Sequence, residues 1–197
     1  MNEDQITTTA HYKSESLTIT TRRLSLREFG PEDFHAVHQY ASDPIVVKYL
    51  SWGPNSENET IGFLDRAAKS RLVSPRIEYH LAIVLPEGTL IGGCSIEVAD
   101  RQNEQGTIGY MFNRQYWHQG YATEVAKLLV GFGFGHLRLH RIWATCDPAN
   151  TYSEKVLVRI GMKKEGILRE NLKLKDRWRN SLLYAILSDE HRIMESK

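Results

Sequence analysis

The chain has 197 residues, of which 41% are hydrophobic and 25% charged, and its formal net charge is +1. That length and balance fit one globular domain able to bury a sizeable core. The near-neutral charge excludes the strongly basic surface that nucleic acid demands, and no acidic bias is present. Cys94 and Cys146 are the only cysteines, too few for a disulfide framework or a four-cysteine zinc site, so a reducing cytoplasm is the plain reading. No segment approaches the roughly 20 apolar residues that span a bilayer. The opening MNEDQITTTAHYKSES lacks the basic start and apolar run of a signal peptide. A flexible tail is expected over residues 1–16, one domain over 17–190 and a short tail over 191–197.

In chain order, Leu17 to Phe29 alternates around Leu24 and Leu26 and reads as a first strand. Arg22, Arg23 and Arg27 read as solvated strand ends. Pro31 opens a short helix whose face carries Phe34, Val37, His38 and Ala41, ended near Asp43-Pro44. After a loop containing Trp52, Gly53 and Pro54, Glu57 and Glu59 precede a helix through Ile61, Leu64, Ala68 and Leu72. Ile77 to Leu85 and Leu90 to Ala99 form a hairpin around Pro86-Glu87-Gly88-Thr89. A polar loop then leads to a third strand, Thr107 to Phe112, completing an antiparallel meander.

Val125, Leu128, Leu129 and Phe132 next share one helical face. Arg138 to Cys146 follows as a strand, parallel to the Thr107 strand because a helix crosses between them. Asp147-Pro148-Ala149-Asn150 ends it and opens a helix with Val156, Leu157 and Ile160 inward, stopped at Gly161. Met162 to Leu174 and Trp178 to Leu187 close the chain as two strands around Lys175-Asp176-Arg177. A mixed sheet, mostly antiparallel, with helices on its faces follows: an α/β fold of the α+β type.

The chemistry concentrates between Thr107 and Phe134. Strand, glycine-bearing loop and helix in that order present unpaired N–H groups at a helix N-terminus, where the dipole adds positive charge. Gly120 and Ala122 carry little side chain, so an anion such as phosphate can approach the main chain. An ordinary turn capped by Thr123 gives the same local pattern. The run Gly131-Phe132-Gly133-Phe134-Gly135 is not a dinucleotide fingerprint, since it lies within a helical pattern and the third glycine falls on His136. The pairs His35/His38 and His136/His140 lack partner ligands, so no metal is expected.

Trp117-His118-Gln119-Gly120-Tyr121-Ala122 resembles the acetyl-CoA loop of the GNAT acetyltransferase superfamily, Arg/Gln-x-x-Gly-x-Gly/Ala, with Trp117 departing at the first position. Tyr116-Trp117 before the glycine and Ala122-Thr123-Glu124 after it are similar to the RimJ/RimL-like branch, which acetylates protein N-terminal amines. The resemblance runs from about Thr20 to Leu187. It implies a GNAT fold in which two central parallel strands splay apart, leaving a cleft for the pantetheine arm. It further implies acetyl-CoA as co-substrate, with the diphosphate held by the main chain of His118, Gln119, Gly120, Tyr121, Ala122 and Thr123. Met111 and Phe112 would supply N–H groups to the oxyanion, and Asn150 would bind the arm. The tyrosine acid of many family members is replaced here by Leu157. Ser153 instead matches the serine of the RimJ/RimL-like branch, although Asn150 and Ser153 are also ordinary helix caps.

Amide formation needs an amine that loses its proton, and a free α-amine with a pKa of about 8 requires only a modest base. Glu97, Glu170, Tyr110 and His80 are the candidates, with Ser153 as the acid. The resemblance places Tyr49 and Trp52 beside the acceptor, while aromatic packing under a loop is the plainer account. Cys94 and Cys146 read as buried filler. The resemblance implies direct acetyl transfer to a primary amine, and its RimJ/RimL-like part favours a protein N-terminus such as that of a ribosomal protein, by a monomer or homodimer. A polyamine or aminoglycoside acceptor and a non-catalytic acetyl-CoA-binding module are the alternatives; a Walker-type nucleotide loop is absent from the sequence.

Overall fold

The computed structural model describes residues 9–13, 16–174 and 177–195. One mixed sheet of nine strands organises it. In chain order these are β1 (Thr9–Lys13), β2 (Ser16–Thr20), β3 (Ser25–Glu28), β4 (Glu78–Val84), β5 (Leu90–Asp100), β6 (Gln105–Phe112), β7 (Arg141–Cys146), β8 (Lys163–Leu174) and β9 (Arg177–Leu187). The spatial order is β1-β2-β3-β4-β5-β6-β7-β9-β8. Five α-helices accompany it: α1 (Phe34–Ala41), α2 (Glu57–Ser70), α3 (Tyr121–Gly135), α4 (Thr151–Arg159) and α5 (Ser188–Glu195).

Alternation along β4 divides the core. Leu81 and Ile83 join the larger cluster, with Val125, Leu128, Leu129 and Phe132 of α3 and Val156, Leu157 and Ile160 of α4. Ala82 and Val84 join the smaller one, with Val37, Tyr40 and Ala41 of α1 and Ala67 of α2. The helices therefore cover both faces, and the apolar faces expected of α3 and α4 are the buried ones. Within the run of three glycines at the end of α3, Gly133 is the one the packing needs. A Cβ there would lie 2.6 Å from Ile142 and 2.8 Å from Ile96, so the helix seats directly on β5 and β7.

Three local readings change. The strand expected from Leu17 to Phe29 is a hairpin, β2 with β3, because the Thr21 N–H donates to the Leu24 carbonyl at 2.8 Å. The Thr21 hydroxyl also accepts from the Leu24 N–H at 3.1 Å, a side-chain-built turn that uses neither Gly nor Pro. Helix α2 presents a different face from the one expected. Thr60, Ala67 and Ser70 are buried, Ile61 is exposed, and Leu72 lies beyond the helix end. Its start is fixed by a capping box, in which Ser56 N–H donates to Glu59 Oε2 at 2.7 Å. Residues 1–8, 14–15 and 196–197, together with 175–176 where a turn is expected, lie outside the described residues. Thr9–Lys13 forms the edge strand β1, and α5 occupies much of the expected C-terminal tail.

The feature that positions the site is the parallel pair. β6 and β7 are in register at Gln105↔Arg141, Gly106↔Ile142 and Thr107↔Trp143, and there the pairing stops. Beyond it β6 stays bonded to β5 as far as Phe112, and β7 to β9 as far as Cys146. The two halves of the sheet part, and a gap opens between Ile108–Phe112 and Ala144–Cys146.

Candidate active site

Two cavities meet at this gap. The larger, about 420 Å³, runs between the loop before α3 and the start of α4. Its walls include Met111, Phe112, His118 through Thr123, Asn150 and Ser153, which are the residues expected to hold the co-substrate. The smaller, about 330 Å³, lies toward α1 and β4, and Tyr49, Trp52, His80 and Tyr110 line it. Tyr49, Leu50, Tyr110, Met111, Asn150 and Ser153 belong to both walls, so the two cavities form one passage through the sheet. At the junction the Tyr110 hydroxyl stands 3.3 Å from Ser153 Oγ.

The loop at the mouth of the larger cavity is built to leave amides free. A short 3-10 turn, Arg114–Tyr116, follows β6, and Trp117 Nε1 donates to the Phe112 carbonyl at 2.9 Å, tying the loop back to the strand. This is what the tryptophan at the departing motif position does. His118 adopts φ +62° and Gly120 φ +84°, and α3 begins at once. The N–H groups of Thr123 and Glu124 both donate to the Gly120 carbonyl. Those of Gln119, Gly120, Tyr121 and Ala122 have no acceptor among the described residues. A Cβ on Gly120 would meet nothing nearer than Arg23 Nη2 at 3.6 Å, so strain at positive φ, not crowding, calls for glycine there.

Across the cavity, Asn150 caps α4 by accepting from the Ser153 N–H at 3.2 Å, which leaves the Ser153 hydroxyl to Tyr110. Tyr152 meets the His118 ring at a centroid distance of 4.7 Å, and Lys155 and Arg159 add positive charge to the same wall. Free amides, a helix N-terminus and two cations fit a diphosphate-bearing ligand.

Strand geometry also sorts the two expected oxyanion donors. Asn113 N–H donates to the Ile91 carbonyl of β5 at 2.9 Å. Alternation then turns the Met111 N–H toward β5 as well, and the Phe112 N–H toward the gap. Phe112, not Met111, is therefore the available main-chain donor of the pair, while the Met111 side chain walls both cavities.

The candidate bases separate as sharply. Glu97 is exposed opposite Thr107, at the last pairing before β6 and β7 part, and lines neither cavity. Glu170 is exposed in the bulged stretch of β8, where its N–H donates to Asn180 Oδ1 at 2.8 Å, and also lines neither. Burial pushes the Tyr110 hydroxyl up to about 12 against the opposing hydrogen bond with Ser153, so it stays protonated, and either hydroxyl can be the donor between them. His80 remains, in the wall of the smaller cavity, with Nε2 3.3 Å from Glu78 Oε2 and its ring edge-on to Phe63. Burial raises the Cys146 thiol to about 11 and Cys94 further still, which keeps both as poor nucleophiles.

Two features of the site carry no strong sequence signal. Asp147 and Arg179 face each other at 4.0 Å in the wall of the smaller cavity, both buried, and Arg179 Nη1 donates to the Tyr49 carbonyl at 2.7 Å. Arg23, read as a solvated strand end, reaches the loop before α3. Arg23 reaches Gln119 and Arg179 reaches Tyr49 across 96 and 130 positions of chain, beyond the reach of local patterning.

The sheet parts at a parallel pair, with an amide-rich loop on one side of the gap and a lined pocket on the other, an arrangement suited to a group-transfer enzyme. Residues 23–163 match the acetyltransferase (GNAT) domain, and the chain belongs to that family and is an N-acetyltransferase. It is 35% identical over 172 residues to the uncharacterized N-acetyltransferase YnaD of Bacillus subtilis (strain 168), covering 87% of this chain and 98% of that protein. A GNAT-family acetyltransferase from Bacillus anthracis superposes with a TM-score of 0.78 at 33% identity, over 87% of this chain and 99% of that one. The same fold recurs in Mycobacterium smegmatis RimJ in complex with CoA-disulfide, with TM-score 0.75, 24% identity and 88% of each chain covered. It recurs too in Vibrio cholerae spermidine N-acetyltransferase in complex with CoA and spermine, with TM-score 0.75 and 17% identity, over 86% of this chain and 98% of that one.

Proposed function

We propose that the protein transfers the acetyl group of acetyl-CoA directly to the α-amine of a protein or peptide N-terminus, in the manner of the RimJ/RimL-like branch. The observation that carries this reading is the passage through the sheet, with unpaired amides at one end, the Tyr110–Ser153 contact in the middle and an aromatic pocket at the other. The co-substrate brings an activated acetyl thioester. The N–H groups of Gln119 to Ala122 hold its diphosphate, aided by the α3 dipole and by Lys155 and Arg159. Asn150 and the β6 edge hold the arm, and the Phe112 N–H stabilises negative charge on the carbonyl oxygen. Ser153, backed by the protonated Tyr110, donates to the departing sulfur. His80, directly or through water, accepts the amine proton.

The acceptor reading rests on charge. Among the residues lining the smaller cavity Asp147 is the one carboxylate, and Arg179 stands against it. A polyamine would bring several positive charges to a wall with no net negative charge. The same wall carries the aromatic side chains of Phe29, Tyr40, Tyr49, Trp52 and Phe63 among neutral polar and aliphatic ones, which suits one amine carried on a peptide. The test is CoA-thiol release with three acceptor sets: peptide N-termini, spermidine and an aminoglycoside. Peptides should show the highest kcat/KM. Preference for spermidine would move the assignment to polyamines, and tight CoA binding without release for any amine would make the domain a binding module.

A further inference from the structure

We infer that Arg23, on the β2–β3 turn, is a positioning residue that aims the amides before α3 at the diphosphate and removes a competing negative charge beside them; this rests on the acetyl-CoA reading above. Arg23 lines neither cavity. It contacts the loop from outside through four interactions. Nη1 donates to the Gln119 carbonyl at 3.3 Å, while Nε and Nη2 donate to Glu124 Oε2 at 2.8 and 2.6 Å. The guanidinium carbon also sits 4.7 Å from the centre of the Tyr121 ring.

Each contact has a consequence at the mouth of the cleft. In a planar trans peptide the C=O and N–H point in opposite directions. Fixing the Gln119 carbonyl on Arg23 therefore turns the Gly120 N–H away from Arg23. The Arg23 Nη2 atom is the nearest group to where a Gly120 Cβ would stand, so the guanidinium backs the loop at that point. The ring contact holds the first residue of α3, and with it the start of the helix dipole.

Glu124 supplies the second half of the argument. An acidic side chain in the first turn steadies a helix, but it also opposes an incoming phosphate. Here both carboxylate oxygens are engaged: Oε2 by the Arg23 fork and Oε1 by the Thr21 hydroxyl at 2.6 Å. The turn between β2 and β3 thus neutralises the one carboxylate in the opening turn of α3.

The experiment compares two thioesters in Arg23→Met, Arg23→Lys and Arg23→Met/Glu124→Gln, with acetyl-CoA against acetyl-pantetheine, which lacks the diphosphate. Thermal unfolding accompanies each variant. In Arg23→Met, KM for acetyl-CoA should rise about tenfold or more while KM for acetyl-pantetheine stays within about twofold. Arg23→Lys, which cannot fork onto Glu124 and Gln119 together, should fall between. Removing the freed carboxylate in the double variant should recover part of the loss. An equal rise for both thioesters, no rise, or no recovery in the double variant overturns the inference. A wild-type protein that binds no CoA overturns the acetyl-CoA reading itself. If Arg23→Met unfolds, Arg23→Lys alone decides by the same comparison.

Discussion

At Gly120 the backbone takes a conformation that a side chain makes costly, directly where four amides are unpaired. The position allows strain and charge to be separated. Gly120→Ala adds strain of order 1–3 kcal/mol without charge, so it should lower the unfolding midpoint and keep most CoA affinity. Gly120→Glu places a carboxylate on the Arg23 side of the loop, where it competes with Glu124 for the guanidinium and adds negative charge beside the amides, and should weaken CoA binding by about tenfold beyond the alanine variant, as measured by calorimetry. Equal affinities in the two variants would remove the anion-binding role. At the junction, Ser153→Ala should lower kcat by about tenfold or more with KM for acetyl-CoA nearly unchanged, since the role proposed for its hydroxyl is toward the leaving sulfur. Unchanged kcat would reduce Ser153 to part of the α4 cap. Tyr110→Phe should give a smaller loss of the same kind.

Among the elements, the turn of chain before α1 is held by charge inside the fold. Arg27 grips both oxygens of Asp33 at 2.7 and 2.8 Å, and the Gly30 N–H adds a third bond. Burial pushes the Asp33 carboxyl up, but the guanidinium and the N–H outweigh it and hold the group below its ordinary value. A lowered folded-state pKa stabilises the protein above the unfolded value of about 4 and is lost as pH falls through the folded value. Asp33→Asn should therefore cost stability in urea at pH 7, with the gap from wild type narrowing below about pH 4. A constant gap across that range would place the effect in packing instead.

Elements also show what could be read from the chain alone. The apolar faces of α3 and α4 and the parallel relation of β6 and β7 were legible because each rests on a repeat or on a connection length. Helix α2 was not, because its inward face is short and partly polar, with Thr60 bonded to His38 Nδ1 at 2.9 Å, while Ile61 faces solvent. The β2–β3 turn escaped notice because a threonine hydroxyl does the work usually given to glycine. Loop chemistry around Gly120 was visible through its motif. The choice among Glu97, Glu170 and His80 was not, since it turns on where β6 and β7 cease to pair, a property of two distant strands.

For the molecule as a whole, the decisive property is that the two cavities share a wall at which the Tyr110 and Ser153 hydroxyls meet. Cys146 and Cys94 border the smaller cavity, but burial keeps their thiols protonated near neutral pH. Transfer should therefore require both substrates together. Initial-rate plots should intersect, and mass spectrometry of protein incubated with acetyl-CoA alone should find no acetylated cysteine. Parallel lines with an acetyl-cysteine adduct would point to a covalent route.

The three-position seam between β6 and β7 has a consequence for how the polypeptide could be divided. Among the described residues, strands β1 to β6 form one continuous antiparallel array and β7, β9 and β8 a second, and little sheet bonding stitches them. A break introduced between Gly135 and Arg141 would yield two fragments, each holding one bank of the channel. Any molecule lodged between His118–Thr123 on one bank and Asn150–Arg159 on the other would act as a staple, so reassembly of the fragments should report its presence.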